Sequence, residues 1–173
     1  MKKLLITFCT LVLCINSFAG DIKVIEGKAS MNRREGLAEV VFVWDNAKYD
    51  NRHSLKEQWK EEYDKYLKDG EEFFIAGFNE NAKKLTITTM EKEKANYTIT
   101  IEFENFDYFF SAMSVIPGHK HKVWANIKIT DKAIGKVVCV LKVVEFKGGR
   151  DLVKFDSYTE MMHDLGKELA QLK

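Results

Sequence analysis

Four segments in the second half of this 173-residue chain, 85–89, 97–103, 123–130 and 136–146, read as strands, the first three alternating apolar and polar residues with a period of two. Successive strand side chains point to opposite faces, so each run can line a buried layer on one side and meet water on the other. A helical period would not sort these residues. The last two runs are joined by 131–135, whose Gly135 can take the positive φ of a hairpin turn. Two earlier runs, 22–31 and 37–44, also read as strands, the second being β-branched and aromatic. Between the two sets, Ser54 and Glu57 match a capping box. The helix that follows puts Leu55, Trp59, Tyr63, Tyr66 and Leu67 on one face, with Gly70 as its stop and a second helical segment over 71–83. Ser157 and Glu160 match a second capping box, opening a closing helix with Tyr158, Met161, Met162, Leu165, Leu169 and Leu172 inside. The expected fold is α+β in the order β-β-α-(α)-β-β-β-β-α. Its sheet is mostly antiparallel or mixed, of about five to six strands, with helices packed on one face.

The N-terminus constrains the compartment. Met1-Lys2-Lys3 precedes an apolar run to Ile15, and Ser17 and Ala19 supply small residues at the −3 and −1 sites. This is the pattern of a cleavable export signal over 1–19, with a single domain expected over 20–173. The run is too short to span a bilayer, which takes roughly 20 apolar residues. Cys14 raises the question of lipidation, but Leu13 before it is not small, so the unlipidated product is preferred. Cys9 and Cys14 leave with the signal, and Cys139 alone cannot form an internal disulfide. It lies in an apolar strand-like run, which points to an inert buried thiol.

Charge narrows the partners. The chain has 27 basic and 26 acidic residues, and loss of Lys2 and Lys3 leaves 25 and 26. With signs mixed along the sequence, neither a nucleic-acid footprint nor a polybasic membrane-binding segment is expected. A single proline and the lack of a Gly- or Ser-rich stretch give no linker, and no repeat is evident.

Few residues suggest chemistry. His119 and His121 are two apart and would share a strand face, as paired metal ligands require. They are weak candidates, because no Cys or second His pair completes the set; an acid such as Asp107 or Glu145 would have to. No Gly-x-Ser-x-Gly element is present, and Gly148-Gly149-Arg150 is too short to cradle a phosphate. Asp151, Asp156 and Glu160 read as helix-start carboxylates rather than an acid pair. The aromatic run containing Phe103, Phe106, Tyr108, Phe109 and Phe110, with Trp124 downstream, is mostly core material. Phe106, Tyr108, Phe110 and Trp124 are the weak candidates for partner binding, since aromatics dominate interface hot spots.

The strand 95–101, the Pro117-Gly118 loop, the strand 123–130, the hairpin with Gly135-Lys-Val-Val138 and the helix with Leu165-Gly-Lys-Glu-Leu169 together resemble small secreted proteins of unknown function common in Bacteroidota. More remotely they resemble the α+β domain of envelope lipoproteins such as the curli secretion channel subunit and penicillin-binding-protein activators. The resemblance spans about the last 80 residues and implies protein contact at the envelope, without cofactor or catalysis. It carries over no functional residue.

The expectation is an exported, non-catalytic accessory protein, periplasmic or extracellular, with outer-membrane association open. Its partner would be another envelope component, most simply a protein, and it would need no cofactor. Two alternatives stand beside it: a small metal-dependent hydrolase using His119 and His121, and a small-ligand carrier with Trp44 and Trp59 lining a cavity. The sequence leaves the oligomeric state undefined.

Overall fold

The computed structural model describes residues 22–111, 118–151 and 154–173, with side chains described outside 109–119 and 149–155. The segment expected to be an export signal, with its expected cleavage site and Cys14, lies outside the described residues. The elements run β1 (Ile22–Gly27), β2 (Gly36–Val43), β3 (Lys48–Tyr49), β4 (His53–Ser54), α1 (Leu55–Trp59), α2 (Tyr63–Asn81), β5 (Leu85–Ile87), β6 (Tyr97–Ser111), β7 (Gly118–Asp131), β8 (Lys136–Asp151) and α3 (Lys154–Gln171).

All eight strands belong to one mixed sheet. Its spine is β1-β8-β7-β6-β2-β5, and β3 with β4 joins beside the far half of β6. The β1–β8, β8–β7 and β7–β6 pairs are antiparallel, whereas β2 runs parallel to both β5 and β6, and β3 runs parallel to β6. The expectation of five to six strands in the order β-β-α-(α)-β-β-β-β-α is therefore corrected. The described residues form eight, and the sheet dominates them. Two of the additions, β3 and β4, are two residues long and hide in what reads as a turn. The rest of the difference is length, because β6, β7 and β8 reach 15, 14 and 16 residues. Their alternation breaks at register shifts, between Phe103 and Asn105 in β6 and between Val123 and Ala125 in β7. A bulge puts two residues opposite one and so disrupts the period-two signal while the strand continues.

The inner face is apolar along its length: Ile99, Ile101, Phe103, Val123, Ala125, Ile127, Ile129, Leu141 and Val143 are all buried. The outer face is polar and tied across strands. Glu104 takes the Lys142 ammonium at 2.6 and 2.8 Å and the Asn126 amide at 2.7 Å, while Glu39 accepts from the Thr98 hydroxyl at 2.6 Å. Helix α3 covers β7 and β8, and α2 packs on α3 and over β5. The two helices meet backbone to backbone: a Cβ at Gly77 would collide with the His163 carbonyl, and one at Gly166 with that of Phe74.

Two helix expectations also change. The Ser54–Glu57 capping box is present, with both reciprocal bonds made. The break after it falls at Lys60 (φ 50°), not at Gly70, which lies inside the uninterrupted α2 against Tyr158. Ser157 does not cap α3, which already begins at Lys154.

At the outer edge, one side chain occupies both backbone groups of Ile87. Asn79 of α2 accepts from its N–H at 2.8 Å and donates to its carbonyl at 3.0 Å.

Candidate functional site

The residues singled out by sequence fall mostly inside the fold. His121 is 2% exposed, and its Nδ1 lies 2.9 Å from the Ser157 hydroxyl. Its ring sits between Tyr108 and Tyr158, at centroid distances of 5.3 and 5.8 Å. The side chain of His119 lies outside the described residues. Among the described residues, no three His, Cys, Asp or Glu side chains converge as a metal site. The two acids considered as partners are engaged elsewhere. Asp107 accepts from the Tyr108 amide, and Glu145 pairs with Lys122 at 2.7 Å and Lys147 at 3.4 Å. Lys122 above all holds the Glu145 carboxyl below its usual range.

The aromatic candidates divide. Phe106 is fully buried, so it cannot present itself to a partner. Tyr108 is half-buried against the core, and Trp124 points away from its buried neighbours Val123 and Ala125. The Phe110 side chain lies outside the described residues. Trp44 stacks on Phe103 at 4.2 Å and donates its indole N–H to Glu71 at 2.9 Å. Trp59 stacks on Tyr66 at 5.0 Å. Phe106 fills the space between the two indoles, 5.8 Å from one centroid and 5.9 Å from the other, where a carrier would hold its ligand. Cys139 is buried in β8, and burial pushes its thiol above the usual range, with Arg34 opposing.

A different region collects unsatisfied groups. The connection from β1 to β2, residues 28–35, is pinned by buried Ala29 and Met31 around a 3-10 turn, Met31–Arg33. Ser30 enters that turn with φ 30°, in the left-handed region. Such pinning turns the cations of the segment outward. Lys28, Ser30, Arg33, Arg34, Glu35 and Tyr97 line a solvent-open cavity of about 460 Å³, within the roughly 300–1,000 Å³ of ligand pockets. The Arg34 guanidinium lies over the Tyr97 ring at 5.2 Å and donates to the Lys28 carbonyl at 3.1 Å. Its Nε–H is buried with no acceptor among the described residues. Glu35 is paired with Lys84. No carboxylate among the described residues pairs with Lys28, Arg33 or Arg34.

On the other side of the same turn, Asn32, Asn81, Lys83, Ala170, Gln171 and Lys173 line a second cavity of about 260 Å³. Gln171 Nε2 donates to the side-chain Oδ1 of Asn81 at 3.2 Å, and Asn81 Nδ2 donates to the backbone carbonyl of Gly77 at 2.9 Å, so both groups of the Asn81 amide are engaged. The Asn32 Oδ1 is buried without a donor among the described residues. Guanidinium forks and ammonium groups that lack partners favour an anion, which they can hold by charge-assisted hydrogen bonds. The linings offer charge and hydrogen bonds rather than a nucleophile with a base beside it.

None of the residues lining these two cavities stands out in the sequence as a site. The available signal was the crowding of Lys28, Arg33 and Arg34 into seven positions. Among the described residues, no helix is long and apolar enough to cross a membrane.

No protein-family model matches the chain, and no curated protein is significantly similar. Among solved structures, the PelC dodecamer from Paraburkholderia phytofirmans is similar at a TM-score of 0.41 and 12% identity, covering 85% of this chain and 96% of that one. A neuraminyllactose-binding hemagglutinin homolog from Helicobacter pylori reaches 0.32 at 10% identity, covering 83% of each chain. The hypothetical protein CT253 from Chlamydia trachomatis also reaches 0.32, at 9% identity, covering 63% of this chain and 69% of that one. Likenesses of this depth assign neither family nor role.

Proposed function

We propose that this chain is an exported accessory protein, periplasmic or extracellular, that acts without catalysis by binding another component of the cell envelope. The cavity lined by Lys28, Arg33 and Arg34 is its recognition site. The observation that carries this reading is the cluster of three cations without carboxylate partners, one of them with a buried, unmatched N–H. Arg34 is engaged by the Tyr97 ring and the Lys28 carbonyl, but Lys28 and Arg33 gain no ion pair among the described residues from their placement. Holding an anion gives the cluster a purpose, and the N-terminal signal pattern directs the search to the envelope.

The test is co-sedimentation of the mature protein with envelope fractions of the source cells. The wild type is compared with a Lys28→Glu/Arg33→Glu variant at low and high salt. The expected result is envelope binding that weakens as salt screens the cluster and falls by about tenfold or more in the variant, the loss of at least one charge-assisted contact. Equal binding by both proteins would remove the site.

A further inference from the structure

One margin of the sheet is built to meet a second copy of the chain. We infer that the protein forms a two-fold dimer in which β1 pairs antiparallel with β1 of the second copy, setting Lys23 opposite the second copy's Glu26. This goes beyond the recognition site proposed above and does not depend on it.

Strand β1 ends the sheet order and is hydrogen-bonded to β8 on one side only. A strand paired on one side turns the N–H and C=O of every other residue outward, a template for a further strand. Among the described residues, no backbone group takes that side of β1. The β5 margin differs, because Asn79 occupies both backbone groups of Ile87 there. The side chains of β1 are equally uncovered. Lys23 and Glu26 are exposed, as are Val24 at 47% and Ile25 at 63%.

Charge selects the occupant. Lys23 lies opposite Lys142 and Glu26 opposite Val140, whereas Ile25 has no counterpart on β8. Lys142 and Val140 flank buried Leu141, so they and the residues opposite them share the outer face. In an unbulged strand, residues 23 and 26 would face opposite sides; the bulge brings both charges to one. Neither has an ion-pair partner among the described residues. Lys23 also meets the like charge of Lys142 across the strands, an unfavourable pairing. A second copy, turned about a two-fold axis between Val24 and Ile25, sets its Glu26 beside Lys23 and its Lys23 beside Glu26. The same register lays each exposed Val24 against the other copy's Ile25. One strand thus carries both halves of the match, as an isologous interface requires. Bulges and charges also guard strand edges against association. Here the bulge sorts the two charges so that this strand attracts its own copy.

The experiment is sedimentation velocity of the mature protein over a concentration series. A contact of six residues a side is small, so the dimer is expected to appear at roughly 10–100 µM. Lys23→Glu turns both ion pairs into repulsions, and so does Glu26→Lys. Each variant alone should dimerise at least about tenfold more weakly, since two cross-strand pairs change sign. A one-to-one mixture of the two variants restores both ion pairs in a mixed dimer and should associate as the wild type does. Both positions are exposed, and Lys23→Glu relieves the repulsion from Lys142, so loss of association is not loss of the fold; circular dichroism of each variant checks this. A wild type that stays monomeric throughout the series would overturn the inference, leaving the edge to some other chain. So would a dimer indifferent to both substitutions, which would lie on another surface, or a loss in the single variants that mixing does not repair.

Discussion

Two regions of this molecule are rich in the side chains from which sites are made, and they have opposite fates. Around His121 the groups are matched: imidazole to Ser157, the Tyr158 hydroxyl to the Tyr66 carbonyl at 3.1 Å, Trp44 to Glu71, ring against ring. Around Arg34, three cations stand without carboxylate partners among the described residues, while buried atoms lacking a partner occur in both regions, Asn32 Oδ1 and Arg34 Nε here and Asn105 Nδ2 beside Phe106 there. The first region resembles a site in composition, yet its chemistry is already spent on holding the fold. The second is plain in composition and has its capacity left over. Unspent bonding capacity, rather than an interesting residue list, is what marks a place where a ligand can enter.

If the aromatic region is structural, damage there should appear as stability. Phe106→Ala should cost about 3–5 kcal/mol, measured by urea unfolding, because Phe106 is fully buried between Trp44, Trp59, Phe103 and Tyr158. A loss under about 1 kcal/mol would mean that the ring stack tolerates a hole and is not the core it resembles. Ser157→Ala should cost about 1–3 kcal/mol through the lost bond to buried His121, with ligand affinity per folded molecule unchanged. A change in affinity there would break the division between the two regions.

Glu39 shows what a charge looks like once the fold has engaged it. Its bond to the Thr98 hydroxyl, and then its pairing with Lys132 at 3.3 Å, hold its carboxyl below the ordinary 4.5. A lowered folded-state value means the stabilisation is complete above that ordinary value and fades as pH falls through the lowered one. Glu39→Gln should therefore flatten the decline of stability in acid below about pH 4.5, followed by thermal melts from pH 7 to 3. An unchanged slope would show that Glu39 is as unengaged as Lys28. The smallest effect belongs to Arg33, exposed and without an ion-pair partner. Arg33→Ala should move stability by no more than about 0.5 kcal/mol in either direction, read from the same unfolding curves, while affecting anion binding strongly. A larger loss would give that arginine a structural duty.

The fold was legible where local signals act alone. β-branched and aromatic composition located β2 and alternation the start of β6, Gly135 takes φ 62° in the hairpin as its position suggests, and Ser54 and Glu57 form the box that their spacing promises. Legibility failed where the environment decides. Ser157 has the same spacing to Glu160, but His121 on β7 lies within reach of its hydroxyl, and that tertiary bond claims it. Gly70 has the mark of a stop, yet Tyr158 presses against its bare Cα and the helix runs on. The bulge beside Phe103 silences the alternation halfway along β6. The candidate site was hidden for the same reason. Residues 28–35 announce charge, but Lys83, Tyr97 and Gln171 come from three other parts of the chain, and only the packed sheet brings them to one turn.

The Asn79 side chain has a meaning beyond the sheet. By taking both backbone groups of Ile87 it behaves as a single-residue ninth strand, a stopper on the β5 margin. The neighbouring margin, β4, runs straight into α1, where the Ser54 amide is taken by Glu57 at 2.8 Å. Growth of a fibril by edge-to-edge strand addition needs two receptive sides per molecule, and this flank is sealed by two side chains. The chain thus carries its own terminator against runaway stacking on this flank.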